Sequence, residues 1–249
     1  MRPGKRLFVG VRVSVGVANA LAACTETLAR RARDAEGGPG RAGRGSERGG
    51  PAGLDLRWVT PANYHVTLAF LGWTAIETVG PVCDALEAAI QTEGRMTFRT
   101  SRLGAFPSLD HASVLWAGIE DGGGLSAVAR SVSDAMAGLG FARDARPFHP
   151  HVTLARLRTP RALREIVLPM AEQMFGDTRI DSITLFESET KSSGSVYHDV
   201  KRIAFKRAST AASRPAKRQT EALERGTPER ELDDTQTDDG WPRGQGPTE

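Results

Sequence analysis

Apolar residues along the first two hundred positions fall into short alternating runs separated by stretches with helical spacing. RLFVGVRVSV, residues 6–15, alternates and is rich in valine, so it reads as a strand. Residues 17–35 read as a helix. LRWV gives a short strand before a turn at Thr60-Pro61-Ala62-Asn63, and HVTLAF is a strand that Gly72 is expected to end. Residues 75–93 read as a helix with Gly80-Pro81 near its start. MTFRTSRLGAFP (96–107) and ASVLWAGIE (112–120) read as strands, and residues 124–139 as a helix stopped by Gly140. The loop FARDARPFHP leads into a second HVTLA strand. A further helix is expected over 161–174, then a closing pair of strands at 179–188 and 195–205.

Two stretches break this pattern. Residues 36–53 hold eight glycines and no apolar anchor, so they read as a flexible surface insertion. From Ala208 onward large apolar residues nearly vanish, and 208–249 reads as a disordered polar tail, leaving 1–207 as the catalytic domain. The tail carries six Lys or Arg and nine Asp or Glu, so the overall charge of +3 conceals a body of +6, compatible with a phosphate-bearing substrate. The N-terminal run ending Leu21-Ala22-Ala23-Cys24 superficially suggests a lipoprotein signal. Arg12 in the middle of that run, and the valine alternation around it, favour a strand. No other stretch is long and apolar enough to span a membrane. Two cysteines, Cys24 and Cys83, make no disulfide framework and fit a reducing, cytoplasmic compartment.

The chemistry lies in the repeat. HVTLA occurs at 65–69 and again at 151–155, in a chain with five histidines. On a strand, residues two apart share a face. His65 with Thr67, and His151 with Thr153, each present an imidazole and a hydroxyl on one side, with aliphatic anchors behind. Packing alone requires neither a histidine nor its repetition. Two such strands facing one cleft suit metal-free displacement at a phosphodiester. A neutral imidazole activates water and a protonated one supplies the leaving alkoxide, while the threonine hydroxyls bind phosphoryl oxygens. A zinc reading of His65, His149 and His151 lacks a fourth ligand at a recognisable spacing, and no cofactor is expected. No P-loop or nucleophile elbow is present.

These residues resemble the 2H phosphoesterase superfamily, and most closely the RNA 2′,3′-cyclic phosphodiesterases, also called 2′-5′ RNA ligases. The resemblance covers most of 5–205: RLFVGVRV, RWVTPANYHVTLAFLG, RLGAFP, VLWAGIE, RPFHPHVTLARL and LFESETKSSGSVY. It implies an α+β, bilobal fold: two antiparallel sheets related by a pseudo-twofold, helices on the outer faces, and a central cleft. It also implies a monomer that opens RNA 2′,3′-cyclic phosphate ends to 2′-phosphates without metal, possessing reversible 2′-5′ ligation in addition. His65 then corresponds to the proton donor, His151 to the proton acceptor, and Thr67, Thr153 and Arg156 to substrate ligands. Plain alternation puts Arg156 on the face opposite His151, so its role requires a twist or bulge at the strand end. Tyr64 and His149 depart from the family pattern; Tyr64 is expected to pack away from the cleft, and His149 replaces a common arginine. Glu187, Ser188 and Tyr197 read as packing and turn residues. Phe70, Trp73 and Phe148 are candidate base stackers whose facing the sequence leaves open. The competing readings are a phosphodiesterase for other cyclic or 2′-5′-linked nucleotides, and a non-catalytic module binding RNA ends.

Overall fold

Nine strands and four helices account for the regular structure of the computed structural model, which describes residues 3–36, 56–91, 94–191 and 194–206. Apart from Glu36, the glycine-rich insertion lies outside the described residues, as does the polar tail. In chain order the elements are β1 (Gly4–Arg12), α1 (Val15–Glu36), β2 (Leu56–Trp58), β3 (His65–Ala75), α2 (Val79–Ala89), β4 (Met96–Phe106), β5 (Ala112–Glu120), α3 (Gly124–Gly138), β6 (His151–Arg161), α4 (Arg164–Val167), β7 (Met174–Ile180), β8 (Ser182–Lys191) and β9 (Gly194–Ala204). The class is α+β, built on a curled antiparallel sheet.

All pairings are antiparallel, in the order β7-β4-β5-β6-β3-β1-β8-β9, with β2 added beside β6. The hydrogen-bonded path is therefore continuous, where two separate sheets were expected. One residue pair, Val66 with Val152, joins its halves at β3 and β6. On each side of that joint a strand and a helix precede the histidine-bearing strand, β1-α1-β3 and β5-α3-β6, with the short β2 coming between α1 and β3.

Alternation explains which face the helices cover. Leu7, Val9 and Val11 of β1, Val66 and Leu68 of β3, Leu115 and Ala117 of β5, and Val152 and Leu154 of β6 are buried. Helix α1 meets this core with Val17, Leu21, Cys24, Leu28 and Ala32, and α3 with Leu125, Val128, Ala129, Val132 and Met136, the three- and four-residue spacing of one helical stripe. Each fully buried aliphatic side chain contributes about 1.5–3 kcal/mol. The apolar side of the sheet is thus filled, and the histidine side is left open.

Three sequence expectations change. Strand β3 runs past Gly72 to Ala75, because Gly72 adopts a left-handed φ of 72° beside an extra residue at Leu71, and this kinks the strand without ending it. The helix expected over 161–174 shrinks to α4, one turn; Pro169 cannot continue it, and Met174–Ile180 pairs with β4 instead. The strand expected over 179–188 divides at Asp181 into β7, which pairs with β4, and β8, which pairs with β1.

Gly104 on β4 lies beneath the indole of Trp116. A Cβ there would sit 2.3 Å from two ring atoms. Gly104→Ala is expected to lower the urea-unfolding free energy by about 1–3 kcal/mol through overpacking. Unchanged stability would contradict this packing.

Candidate active site

Both HVTLA strands carry the same irregularity at the same letter. On β1, neighbours Val9 and Gly10 pair with Ala69 and Thr67, leaving Leu68 as the extra residue of a bulge. On β5, neighbours Leu115 and Trp116 pair with Ala155 and Thr153, leaving Leu154 extra. A bulge reverses the alternation beyond it. Burial follows: Leu154 and Ala155 are both buried in succession. Arg156 therefore emerges on the same face as His151 and Thr153, where it is exposed. By the same reversal Phe70, the corresponding residue of the first motif, emerges on the face of His65 and Thr67.

The Val66–Val152 joint sets the mutual placement of the four motif residues. In the antiparallel ladder around that pair, His65 lies opposite Thr153 and Thr67 opposite His151. The imidazoles take one diagonal of a square and the hydroxyls the other. A regular ladder separates such diagonal positions by roughly 7–8 Å, a gap suited to one phosphate group.

Hydrogen bonds orient both rings alike. His65 Nδ1 lies 2.6 Å from the carbonyl oxygen of Asn63, and His151 Nδ1 lies 2.7 Å from that of His149. A carbonyl only accepts, so Nδ1 carries the proton in each neutral ring and Nε2 is left as the basic nitrogen. Thr67 Oγ1 donates to His65 Nε2 at 3.0 Å.

Each ring also sits in an aromatic box. Phe8 approaches His65 at 4.8 Å between centroids, Tyr197 meets it edge-on at 5.2 Å, and Phe186 lies at 6.1 Å. Phe106 meets His151 edge-on at 5.1 Å, with Trp116 at 6.3 Å. Gly10, paired with Thr67, makes room for the first ring: a Cβ there would lie 2.7 Å from the Val66 carbonyl oxygen and 3.4 Å from His65 Cδ2. This enclosure holds both imidazoles neutral. Burial, opposed by the Asn63 hydrogen bond and assisted by the charges of Arg12, Arg156 and His151, lowers the His65 pKa to about 4. Burial likewise lowers that of His151, assisted by the charges of His149 and Arg156. Arg156 thus acts on both rings.

Sequence reasoning missed Arg12. It pairs with His65 across β1 and β3, donates to the Ala62 carbonyl at 2.9 Å and to Asp199 at 2.5 Å, and lies 4.8 Å over the Phe186 ring. The available signal was its place in line with Phe8 and Gly10 on an alternating strand. Tyr197, read as a packing residue, proves to be a wall of the His65 box. Tyr64 is buried with its hydroxyl 3.4 Å from Thr25 Oγ1, away from the open face. His149 is exposed at the rim, and its carbonyl orients His151. His111 is exposed; His198 lies on β9, exposed and 3.3 Å from Glu189.

The lowered pKa has a consequence for stability. An unfolded imidazole takes up its proton near pH 6.5, whereas folded His65 does so near pH 4. The unfolded state therefore binds more protons between those values. The site's contribution is intact above pH 6.5 and is lost progressively as the pH falls towards 4. Urea titrations of His65→Gln are expected to show a shallower acid loss across that interval than the unsubstituted chain; parallel profiles would contradict the assigned burial.

Comparisons with known proteins bear on the family and the fold. The family model described as the 2′-5′ RNA ligase superfamily matches residues 54–192. An RNA 2′,3′-cyclic phosphodiesterase of Geobacillus stearothermophilus is 35% identical over 124 residues, which span 47% of this chain and 39% of that protein. One of Aeropyrum pernix is 32% identical over 149 residues, 58% of this chain and 84% of that protein. The crystal structure of E. coli LigT complexed with 3′-AMP superposes with a TM-score of 0.60 at 22% identity, covering 82% of this chain and 99% of that one, a likeness of fold. The duplicated His-x-Thr strands, their shared bulge and these matches together place the chain in the 2′-5′ RNA ligase superfamily, the 2H phosphoesterases.

Proposed function

We propose that this chain is an RNA 2′,3′-cyclic phosphodiesterase that hydrolyses cyclic phosphate ends to 2′-phosphates without a metal. The observation that carries this reading is the square of His65, Thr67, His151 and Thr153 on one open face, joined through Val66 and Val152. The phosphate seats over the square. Water attacks phosphorus as His151 Nε2 takes its proton, the P–O3′ bond breaks, and His65 protonates O3′. The same attack by a 5′-hydroxyl in place of water, again with the P–O3′ bond breaking, forms a 2′-5′ linkage, the ligation that the family's name describes; its reverse, attack by O3′ with release of the 5′-hydroxyl, cleaves that linkage.

His65 is neutral in the free protein, so its acid role depends on the substrate. An anionic phosphate beside the ring favours the imidazolium and raises the low pKa. Protonated Nε2 no longer accepts from Thr67, so that hydroxyl is released to donate to a phosphoryl oxygen. Thr153 does the same from the opposite corner, and Arg156 and Arg12 supply positive charge at the rim. Proton uptake and substrate binding are thereby one event.

The remaining features of this reading follow from the same frame. Residues 1–207 form the catalytic unit, a cytoplasmic monomer in which the sheet halves act as two lobes related by a pseudo-twofold. The matching β1-α1-β3 and β5-α3-β6 order and the matching bulges support that relation, and the free Cys24 and Cys83 support a reducing compartment.

Hydrolysis of adenosine 2′,3′-cyclic phosphate is expected to persist in excess EDTA and to follow a bell-shaped pH profile. His65→Ala and His151→Ala are each expected to lower kcat by roughly 10²–10⁴-fold. A substrate with sulfur in place of the bridging O3′ needs no protonation on departure, so it is expected to rescue His65→Ala and leave His151→Ala slow. Rescue of His151→Ala alone reverses the roles, and a requirement for added zinc contradicts the metal-free reading. Release of a 3′-phosphate, or hydrolysis confined to 2′-5′-linked nucleotides, moves the chain to the competing phosphodiesterase reading.

A further inference from the structure

Beyond the four motif residues, the histidine face carries two large aromatic side chains that the fold leaves exposed. Phe70 is 56% exposed and Trp73 61%. Strand pairing puts them on that face. Phe8, which touches His65, pairs with Phe70, and Arg6, two residues earlier on the regular strand β1, pairs with Trp73. The Arg6 guanidinium lies 5.0 Å from the centre of the Phe70 ring. The Trp73 indole lies across Gly4, where a Cβ would be 2.8 Å from its Nε1. An exposed aromatic–cation–aromatic row results, along the outer end of β1 and β3.

Its distance from the histidines decides what it fits. Counted from Val66, the level of the square's centre, Phe70 is four residues on with one taken up by the bulge at Leu68, or roughly 10–13 Å along the strand, and Trp73, opposite Arg6, stands two β1 positions farther, at roughly 17–20 Å. Trp73 is thus past the reach of a nucleoside whose own phosphate sits on the square. Because β3 and β6 run antiparallel from their joint, Arg156 lies on the opposite side of the histidine pair. Arg156 stands at one end of the histidine pair, and the two exposed aromatic rings with Arg6 stand at the other.

We propose that Phe70 and Trp73, with Arg6 between them, form a stacking platform for the base preceding the terminal nucleotide, so that the protein prefers single-stranded RNA ends to mononucleotides. Every base has a π-face, so such a platform binds chain without reading its sequence, and the cation adds attraction to both ring and backbone. The inference rests on the cyclic phosphodiesterase reading and extends it from a reaction to a substrate class. It also gives the two motifs different roles after their common bulge: the fifth residue past the histidine gap is an arginine in one and an aromatic in the other.

The test compares kcat/KM for a trinucleotide ending in a 2′,3′-cyclic phosphate with that for adenosine 2′,3′-cyclic phosphate. The trinucleotide is expected to be favoured about tenfold or more, the scale of one base stacked on an aromatic side chain. In the Phe70→Ala, Trp73→Ala double variant that ratio is expected to fall towards one. A ratio near one in the unsubstituted protein, or a high ratio that the double variant retains, overturns the platform. Calorimetric binding of the matching 2′-phosphate products gives the same ratio without turnover. Absence of hydrolysis of both substrates therefore removes the enzyme reading while the platform is still judged. A binding ratio of one there overturns it, including the case in which the aromatic pair serves a protein partner.

Discussion

Pairing of Val66 with Val152 is the interaction on which the rest depends. It is the point where two halves of the sheet meet, and it fixes the register of two identical pentapeptides running in opposite directions. Once that register is set, strand geometry does the remaining work: apolar Val and Leu turn towards the helices, and His and Thr turn out together. Slipping the joint by one residue would turn one strand over and send its imidazole into the apolar core. The buried aliphatic side chains on the reverse face make such a slip costly, so the packing of the core and the placement of the motif histidines and threonines are enforced by the same contacts.

The open face is polar at its centre and aromatic around it. Phe8, Phe186 and Tyr197 on one side, and Phe106 and Trp116 on the other, exclude water from the rings while carbonyls of Asn63 and His149 fix their tautomers. The result is a pair of neutral imidazoles in surroundings that resist protonation. Arg156, exposed at the rim, disfavours a proton on both rings, and Arg12 disfavours one on His65.

Much of this was legible in the sequence, for physical reasons. Period-two alternation located most strands, and the HVTLA repeat named the histidines and threonines because facing on a strand follows directly from spacing. What local spacing cannot express is pairing. The single turn at Arg164–Val167 and the split at Asp181 follow from which partner each strand finds, β4 or β1. The bulge at Leu154 was visible only as a misfit, since Arg156 required one, and its place was set by β5; the bulge at Leu68 left no such sign. Arg12 and Tyr197 join the site from strands remote in sequence, which alternation alone does not bring together. The continuous path through β3 and β6 likewise depends on one long-range pair.

The most direct measurement of the central claim is side-chain ¹⁵N NMR of the histidines during titration with adenosine 2′-monophosphate at pH 7. Two imidazoles bracketing one phosphate predict that the Nε2 resonances of His65 and His151 respond together at the same ligand affinity, with one ring moving from the neutral Nδ1–H form towards imidazolium. A response confined to one of them, or to His111, His149 and His198 alone, contradicts the account.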